Sequence, residues 1–198
     1  MTGHFEPLPD GGAAVPLDEV EISILRSLAV QLMELMGPGE QAADDESEDL
    51  LASVFNDGPS EPPADPVLAR LFPDAYGGPD LVPDDDVRAA AAEFRRYTEN
   101  DLRARKRTDA LALIRALDTL SPSGGDPAVL RLTADECRQW LGALNDLRLA
   151  IGTRLEVTDE EDGGELLRLP DSDPRKPMVM AYLWLGGLQE TLVESLTA

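Results

Sequence analysis

The sequence contains very little cysteine and histidine, and this scarcity excludes several kinds of chemistry. Cys137 is the only cysteine, so no disulfide can form within the chain, as suits a reducing compartment. On the apolar face of a predicted helix, its thiol is expected to be a small buried hydrophobe. His4 is the only histidine and lies near the N-terminus. Histidine-based catalytic triads and histidine-containing metal clusters therefore have no candidate residues.

Basic residues and long apolar runs are also scarce. The chain has 17 Lys and Arg against 39 Asp and Glu, a formal net charge of −22. Nucleic acid phosphates and anionic membranes attract dominantly basic surfaces, so we expect neither as a partner. The longest apolar run, residues 178–188, is shorter than the roughly 18 residues typical of a membrane span. The polar start after Met1 does not resemble a secretory signal, and we expect a cytoplasmic protein.

Motifs that bind phosphate or calcium are missing as well. Neither Gly124-Gly125 nor Gly163-Gly164 is followed by the lysine and hydroxyl residue of a phosphate loop. The acidic runs lack the ligand spacing and central glycine of a calcium loop. We therefore expect no cofactor and no metal, and the sequence favours a protein that is not an enzyme.

Helical periodicity is the main signal that is present. Thr133 and Glu136 form a capping-box pattern at the start of a helix that extends to residue 157. Its main apolar face carries Cys137, Trp140, Leu141, Leu144, Ile151 and Leu155. Because other sides of this helix are apolar too, we expect it to be central to the fold. Similar patterns predict helices over residues 18–36, 65–72 and 84–120, and a last helix that starts near Pro174 or Pro177.

These elements predict a mainly all-α single domain over residues 1–198. The expected architecture is an irregular bundle of four longer helices with short helices, and a small N-terminal hairpin around Asp10-Gly11-Gly12. A short element of unspecified type follows Asp126-Pro127. Residues 38–64 and 158–173 are strongly acidic and are expected to be flexible loops.

The long helix over residues 84–120 is expected to turn one stripe inward. The stripe comprises Val87, Ala91, Phe94, Thr98 and Leu102, continued by Leu113, Leu117 and Leu120. On nearly the same face as Phe94 lies Asp101, a candidate partner for a buried cation.

Arg148 is that cation, because it falls on the apolar face of the central helix and must be paired or reach water. We predict a buried ion pair between Arg148 and Asp101, joined by Arg105 and Asn145. The pair is expected to fix helix register; a catalytic or ligand-binding role is the alternative.

A basic island interrupts the otherwise acidic chain between residues 88 and 107. Seven basic residues stand here against three acidic ones. A candidate docking face for an acidic partner is formed by Arg95, Arg96, Arg103 and Arg107. The competing interpretation is a solvated helix with ion pairs between residues four apart.

Residues 65–76 (DPVLARLFPDAY), 93–106 (EFRRYTENDLRARK), 140–157 (WLGALNDLRLAIGTRLEV) and 182–192 carry a family resemblance. Together they resemble an actinobacterial family catalogued as a domain of unknown function. The resemblance implies no activity or ligand. Genes of this family commonly lie beside the gene for the ClpS adaptor of the Clp protease, which makes Clp adaptor or protease components the implied partners.

The leading hypothesis is a non-enzymatic protein-interaction or regulatory protein, linked to Clp-dependent proteolysis. The first alternative is an enzyme or small-ligand binder with an arginine and carboxylate site between helices. The second is an acidic mimic of nucleic acid. The oligomeric state is open, since the wide apolar face of the last helix is compatible with a dimer.

Overall fold

The structure is a computed structural model that describes residues 3–37, 58–77, 84–122, 126–157, 166 and 168–197. Within these ranges the chain forms β1 (Glu6–Pro7), β2 (Ala13–Leu17), α1 (Glu19–Met36), α2 (Pro66–Leu71), α3 (Asp85–Asp118), β3 (Ala128–Leu132), α4 (Ala134–Arg154) and α5 (Lys176–Thr197). The prediction of a mainly helical fold is confirmed. Most of the two predicted acidic loops, 38–64 and 158–173, lies outside the described residues.

Side-chain caps begin α1 to α4 where the sequence predicts them. Glu21 N donates to Asp18 Oδ1 at 2.7 Å, and Asp18 N donates to Glu21 Oε2 at 3.0 Å. Thr133 and Glu136 form the same capping box at the start of α4. Each box satisfies backbone N–H groups that have no partner inside the helix.

The predicted N-terminal hairpin forms and gains a third strand. β2 pairs antiparallel with β1, where Pro7 lies opposite Ala13, and with β3, where Ala13 lies opposite Leu132. Gly11 in the turn has a φ of 81°, which favours glycine. A Cβ on Gly12 would lie 2.1 Å from the carbonyl oxygen of Leu132, so the close approach of β3 requires glycine there.

Helix α4 lies at the centre of the core, as its apolar faces predict. It contacts α1, α2, α3, α5 and β3. Trp140 is 1% exposed and meets the ring of Phe5 edge-on, with centroids 6.0 Å apart. The N–H of Phe5 donates to Thr191 Oγ1 at 3.1 Å, which joins the N-terminal segment to α5.

Helix α3 has two parts with different inner surfaces. The last part, residues 108–118, buries Ala110, Leu113, Ile114 and Leu117. The first part, residues 85–107, turns inward a row of charged side chains four residues apart, here called the inner row: Arg95, Glu99, Arg103 and Arg107.

The predicted inward stripe is wrong between residues 94 and 102 of α3, whereas Ala91, at 6% exposed, is buried as predicted. Phe94 and Leu102, expected inside, are 45% and 38% exposed. The buried face is offset by one residue, which is about 100° around a helix. The physical reason is that the neighbouring elements present backbone carbonyl groups to this part of α3.

Candidate functional site

The inner row binds its neighbours through ion pairs and carbonyl groups. Arg95, 4% exposed, contacts the carboxylate of Glu99, 3% exposed, and donates through Nη2 to Asp74 Oδ1 and to the carbonyl of Phe72, both at 2.9 Å. Arg103 Nη2 donates to the other oxygen of Glu99 at 2.7 Å. A buried carboxylate between two guanidinium groups is electrostatically balanced, which is the condition for burying such charges.

Two arginines of this row also hold the end of α1. Arg103 Nη1 donates to the carbonyl of Met36 at 2.7 Å, and Arg107 Nη1 donates to the carbonyls of Met33 and Gly37. The last carbonyls of a helix lack partners within it and carry partial negative charge. Because α1 has no basic residue in its last turn, α3 supplies the missing cations.

The structure does not place the four arginines of the predicted docking face together on the surface. Of its four arginines, Arg95, Arg103 and Arg107 are used inside the fold, and only Arg96 is exposed, with Cζ 5.4 Å from the centroid of the Tyr97 ring. The physical reason is that a guanidinium near unpaired carbonyl and carboxylate oxygens gains more from binding them than from hydration. These three arginines join α3 to the end of α1 and to the segment that follows α2.

The predicted ion pair between Arg148 and Asp101 is not formed. Arg148 Nη1 donates to Gln189 Oε1 at 2.5 Å, and its Cζ lies 5.2 Å from the centroid of the Tyr182 ring. Asp101 is exposed on α3. Arg148 faces α5, whereas Asp146, two residues earlier and about 200° around the helix, faces α3.

Asp146 is the carboxylate that α3 binds. Lys106 Nζ donates to its Oδ1 at 2.6 Å, and both side chains are largely buried. Burial raises the pKa of Asp146, and the hydrogen bond and charge of Lys106 oppose this. Asn145 and Arg105 also lower the pKa of this carboxylate, so two of the residues predicted around Arg148 lie near Asp146 instead. Asp146 lies three residues after Ala143 and four before Ala150, both of which are buried, and this spacing is the sequence signal that could have placed it on an inner face of α4.

Asp109 lies beside this cluster, over the backbone of α4. A Cβ on Gly142 would lie 2.7 Å from Asp109 Oδ2, so the absence of a side chain at Gly142 admits the carboxylate. Burial raises the pKa of Asp109, and the charge of Asp146 adds to this effect. Arg105 and Lys106 act in the opposite direction.

A groove of about 540 Å³ runs along α5, beside the side chain of Arg148 from α4. Gly186 and Gly187 line the groove, and Glu190 and Glu194 stand in its wall. The two carboxylates oppose the binding of an anionic ligand, and Nη1 of Arg148 already donates to Gln189. Among the described residues, no group of three His, Cys, Asp or Glu side chains could hold a metal ion.

Cys137 is fully buried, and its Sγ lies 4.0 Å from the carbonyl oxygen of Leu132. Burial raises the pKa of this thiol, which favours the protonated and unreactive form. Cys137 therefore packs as an apolar side chain beneath β3, as the sequence predicts.

The first part of α3 and the segment after α2 leave aromatic side chains in solvent. Tyr76, Phe94 and Tyr97 are 48%, 45% and 62% exposed, with Leu102 beside them at 38%. These four residues are called the aromatic face below. The rings of Tyr76 and Phe94 meet edge-on with centroids 5.8 Å apart, which orients both at the surface. Sequence reasoning missed this face because the inward stripe was assigned one residue away.

Comparison with known proteins gives a family but no activity. The sequence matches the family described as "Domain of unknown function (DUF2017)" over residues 2–196. It is 35% identical over 179 residues to a Mycobacterium tuberculosis protein named "Oxidative stress regulator AosR", covering 87% of this chain and 77% of that protein. A Mycobacterium bovis protein of the same name matches with the same values.

No solved structure matches the chain. None of the described helices is long and apolar enough to cross a membrane. The family match spans nearly the whole sequence, including the segments that form the inner row and the aromatic face. The chain therefore belongs to the DUF2017 family.

Proposed function

We propose that this chain is a regulatory protein of the oxidative stress response that acts by binding another protein. The names of its mycobacterial relatives supply the biological setting. The observation that carries the binding mode is the aromatic face. Large aromatic side chains are enriched where proteins bind one another, because they offer much contact area for little loss of conformational freedom.

The aromatic face is held in place by the inner row behind it. Arg95 and Arg103 bind the segment that carries Tyr76: Arg95 donates to Phe72 and Asp74, and Arg103 stacks with Cζ 4.3 Å from the Phe72 centroid. A surface whose backbone is fixed this way loses little entropy on binding. The proposed role of the inner row is to present this face.

The finer part of the proposal concerns the partner. Clp adaptor or protease components are the partner class suggested by the family resemblance. A regulator that engages a protease adaptor can act on the stress response by changing which proteins are degraded. No contact with Clp components is required for the broader proposal of protein binding.

Crosslinked capture of the tagged protein, from cells grown with and without peroxide, tests both parts. The test variant carries Phe94→Ser and Tyr97→Ser. The matched control carries Val20→Ser and Val129→Ser, two substitutions at exposed apolar positions away from this face. Reversal of the inner-row arginines is unsuitable because it would disrupt the fold.

We expect a captured protein that is lost in the test variant and retained in the control. Recovery of Clp components in that pattern supports the finer proposal. Another protein in the same pattern keeps the binding role and removes the Clp link. Equal capture by both variants would show that the aromatic face is not the docking site.

A further inference from the structure

A cavity of about 470 Å³ lies between the last part of α3 and the first turns of α4. Half-buried Leu111, Ala112 and Ala116 of α3 form its apolar wall, and Trp140 of α4 also lines it. The volume is within the range of small-molecule sites. The inner row and the aromatic face lie on the first part of α3 and after α2, so a role for this cavity is independent of the proposed function.

The indole of Trp140 carries a hydrogen-bond donor that is not used. Trp140 is 1% exposed, and its Nε1 is buried without a partner among the described residues. The ring of Phe5 meets the indole edge-on and offers no acceptor oxygen. Because an unpaired buried donor costs free energy, a buried indole N–H usually has a partner. An oxygen atom of a molecule bound in the cavity would supply one.

Two opposite charges line the same cavity without pairing. Arg115 of α3 and Glu136 of α4 are both lining residues, and Arg115 forms no ion pair within the described ranges. Glu136 accepts from the N–H and the hydroxyl of Thr133, both at 2.8 Å and both through Oε2, so Oε1 is available to a ligand. These bonds lower the pKa of Glu136, which keeps its carboxylate ionised. An unpaired cation and an anion in one cavity match a molecule that itself carries both charges.

We infer that this cavity binds a free amino acid with a large apolar side chain. The carboxylate of the amino acid accepts from Nε1–H of Trp140 and pairs with Arg115, and its ammonium group donates to Glu136. The side chain lies against the apolar wall. A simple acid would meet the like charge of Glu136 and a simple amine that of Arg115, so both are disfavoured.

Titration of the full chain with L-leucine tests the inference, because the leucine side chain has no ring to perturb a nearby signal. The readout is the side-chain N–H signal of Trp140 in the NMR spectrum. The sequence has two tryptophans, and Trp184→Phe identifies the remaining signal as that of Trp140. A new hydrogen bond to the indole should move this signal downfield and saturate. Half-saturation is expected near about 1 mM, as for a ligand of few atoms.

Two analogues of leucine separate the two charges. Isocaproate lacks the amino group, and isoamylamine lacks the carboxylate. Each should bind at least about tenfold more weakly than leucine, because one charge-assisted hydrogen bond is lost and one like charge is left facing the ligand.

Matched substitutions test the two charged residues. Arg115→Gln and Glu136→Gln each remove one charge, and glutamine at position 136 still suits a capping box. Each should weaken leucine binding at least about tenfold. Arg131→Gln, at an exposed position of β3, is the control and should match the wild type. Dispersed backbone signals in the same spectra show that each variant is folded.

An indole signal that does not move up to about 20 mM leucine would overturn the inference. Binding of isocaproate or isoamylamine as tight as that of leucine would also overturn it, since only one charge would then be recognised. So would leucine binding that neither glutamine substitution weakens, because the amino acid would then lie elsewhere. None of these outcomes affects the capture experiment, so failure of this inference and failure of the proposed function are distinguishable.

Discussion

The two parts of α3 bury their inner surfaces by different means. In residues 108–118 the inner side chains are Ala110, Leu113, Ile114 and Leu117, and packing follows from the removal of apolar surface from water. In residues 85–107 the inner row is charged and is held by carboxylates and carbonyl oxygens. One helix thus combines a non-directional contact with a directional one.

This difference explains why the aromatic side chains are outside. Ion pairs and hydrogen bonds to carbonyl groups have strict geometry, so they determine the rotation of the first part of α3. Once Arg95 and Arg103 face the neighbouring elements, Phe94 and Leu102 must face solvent. The charged interior therefore exposes the surface that is proposed to bind a partner.

The largest expected loss of stability comes from a substitution in the charged part of α3. Glu99→Ala leaves Arg95 without its buried carboxylate and should lower the free energy of unfolding by about 3–5 kcal/mol. Replacing both fully buried charges, with Arg95→Met and Glu99→Leu, should recover only part of this loss, because Arg103 still loses the carboxylate that it binds. Urea denaturation measures both values. A loss below about 1 kcal/mol for Glu99→Ala would place this pair among ordinary surface ion pairs.

The next largest loss of stability is expected from a substitution in the apolar part of α3. Leu113 is fully buried, and Leu113→Ala should cost about 3 kcal/mol through lost burial and a residual cavity. Its cost should change little with salt, whereas the Glu99→Ala cost should include an electrostatic part. Denaturation of both variants at two salt concentrations checks this. An equal salt response in the two variants would contradict the distinction between the parts.

A smaller effect on stability should depend on pH and concerns Asp109 of α3. Burial raises the pKa of Asp109 in the folded chain above its value in the unfolded chain. An ionised carboxylate of this kind destabilises the fold, and this cost disappears as the pH falls through the folded-state pKa. Asp109→Asn should therefore be more stable than wild type near neutral pH, by at most about 1 kcal/mol because the group is partly solvated.

The stability difference between Asp109→Asn and wild type should disappear on acidification. Thermal unfolding, measured from neutral pH down to the ordinary carboxyl pKa range, checks this. The comparison needs each protein to unfold reversibly. Asp109→Ser serves as a control that also removes the charge but does not preserve the side-chain shape. A variant that loses stability near neutral pH would mean that the carboxylate is stabilised where it lies.

The smallest expected effect concerns the aromatic face. Phe94→Ser and Tyr97→Ser should change the free energy of unfolding by less than about 0.5 kcal/mol each, because both side chains are already exposed. Urea denaturation of the Phe94→Ser and Tyr97→Ser variants measures this change in stability. A loss above about 2 kcal/mol would show that these rings support the fold itself.

The helices could be predicted from the sequence because local signals specify them. Thr133 with Glu136 and Asp18 with Glu21 form capping boxes in the structure, and the hairpin glycines lie in the turn. β3 could not be identified, because five residues give too short an alternation and its partner strand lies far away in sequence.

The site was less accessible to sequence reasoning because its determinants are tertiary. Nothing local shows that Arg103 and Arg107 will meet the carbonyls at the end of α1, some 70 residues earlier in the chain. Likewise, Arg148 lies on an apolar face as predicted, but its partner Gln189 is a neutral residue on α5. Periodicity indicates which residues share a face, and it cannot identify what lies opposite.

The contact between the N-terminal segment and α5 has a consequence for the order in which the chain folds. Phe5 and Thr191 are hydrogen-bonded although 186 residues separate them, and β2 pairs with β3 across most of the chain. Contacts between such distant residues close late, because chain entropy must be lost before they form. The N-terminal strands are therefore among the last elements to reach their native positions, and until then the core around Trp140 lacks its cover.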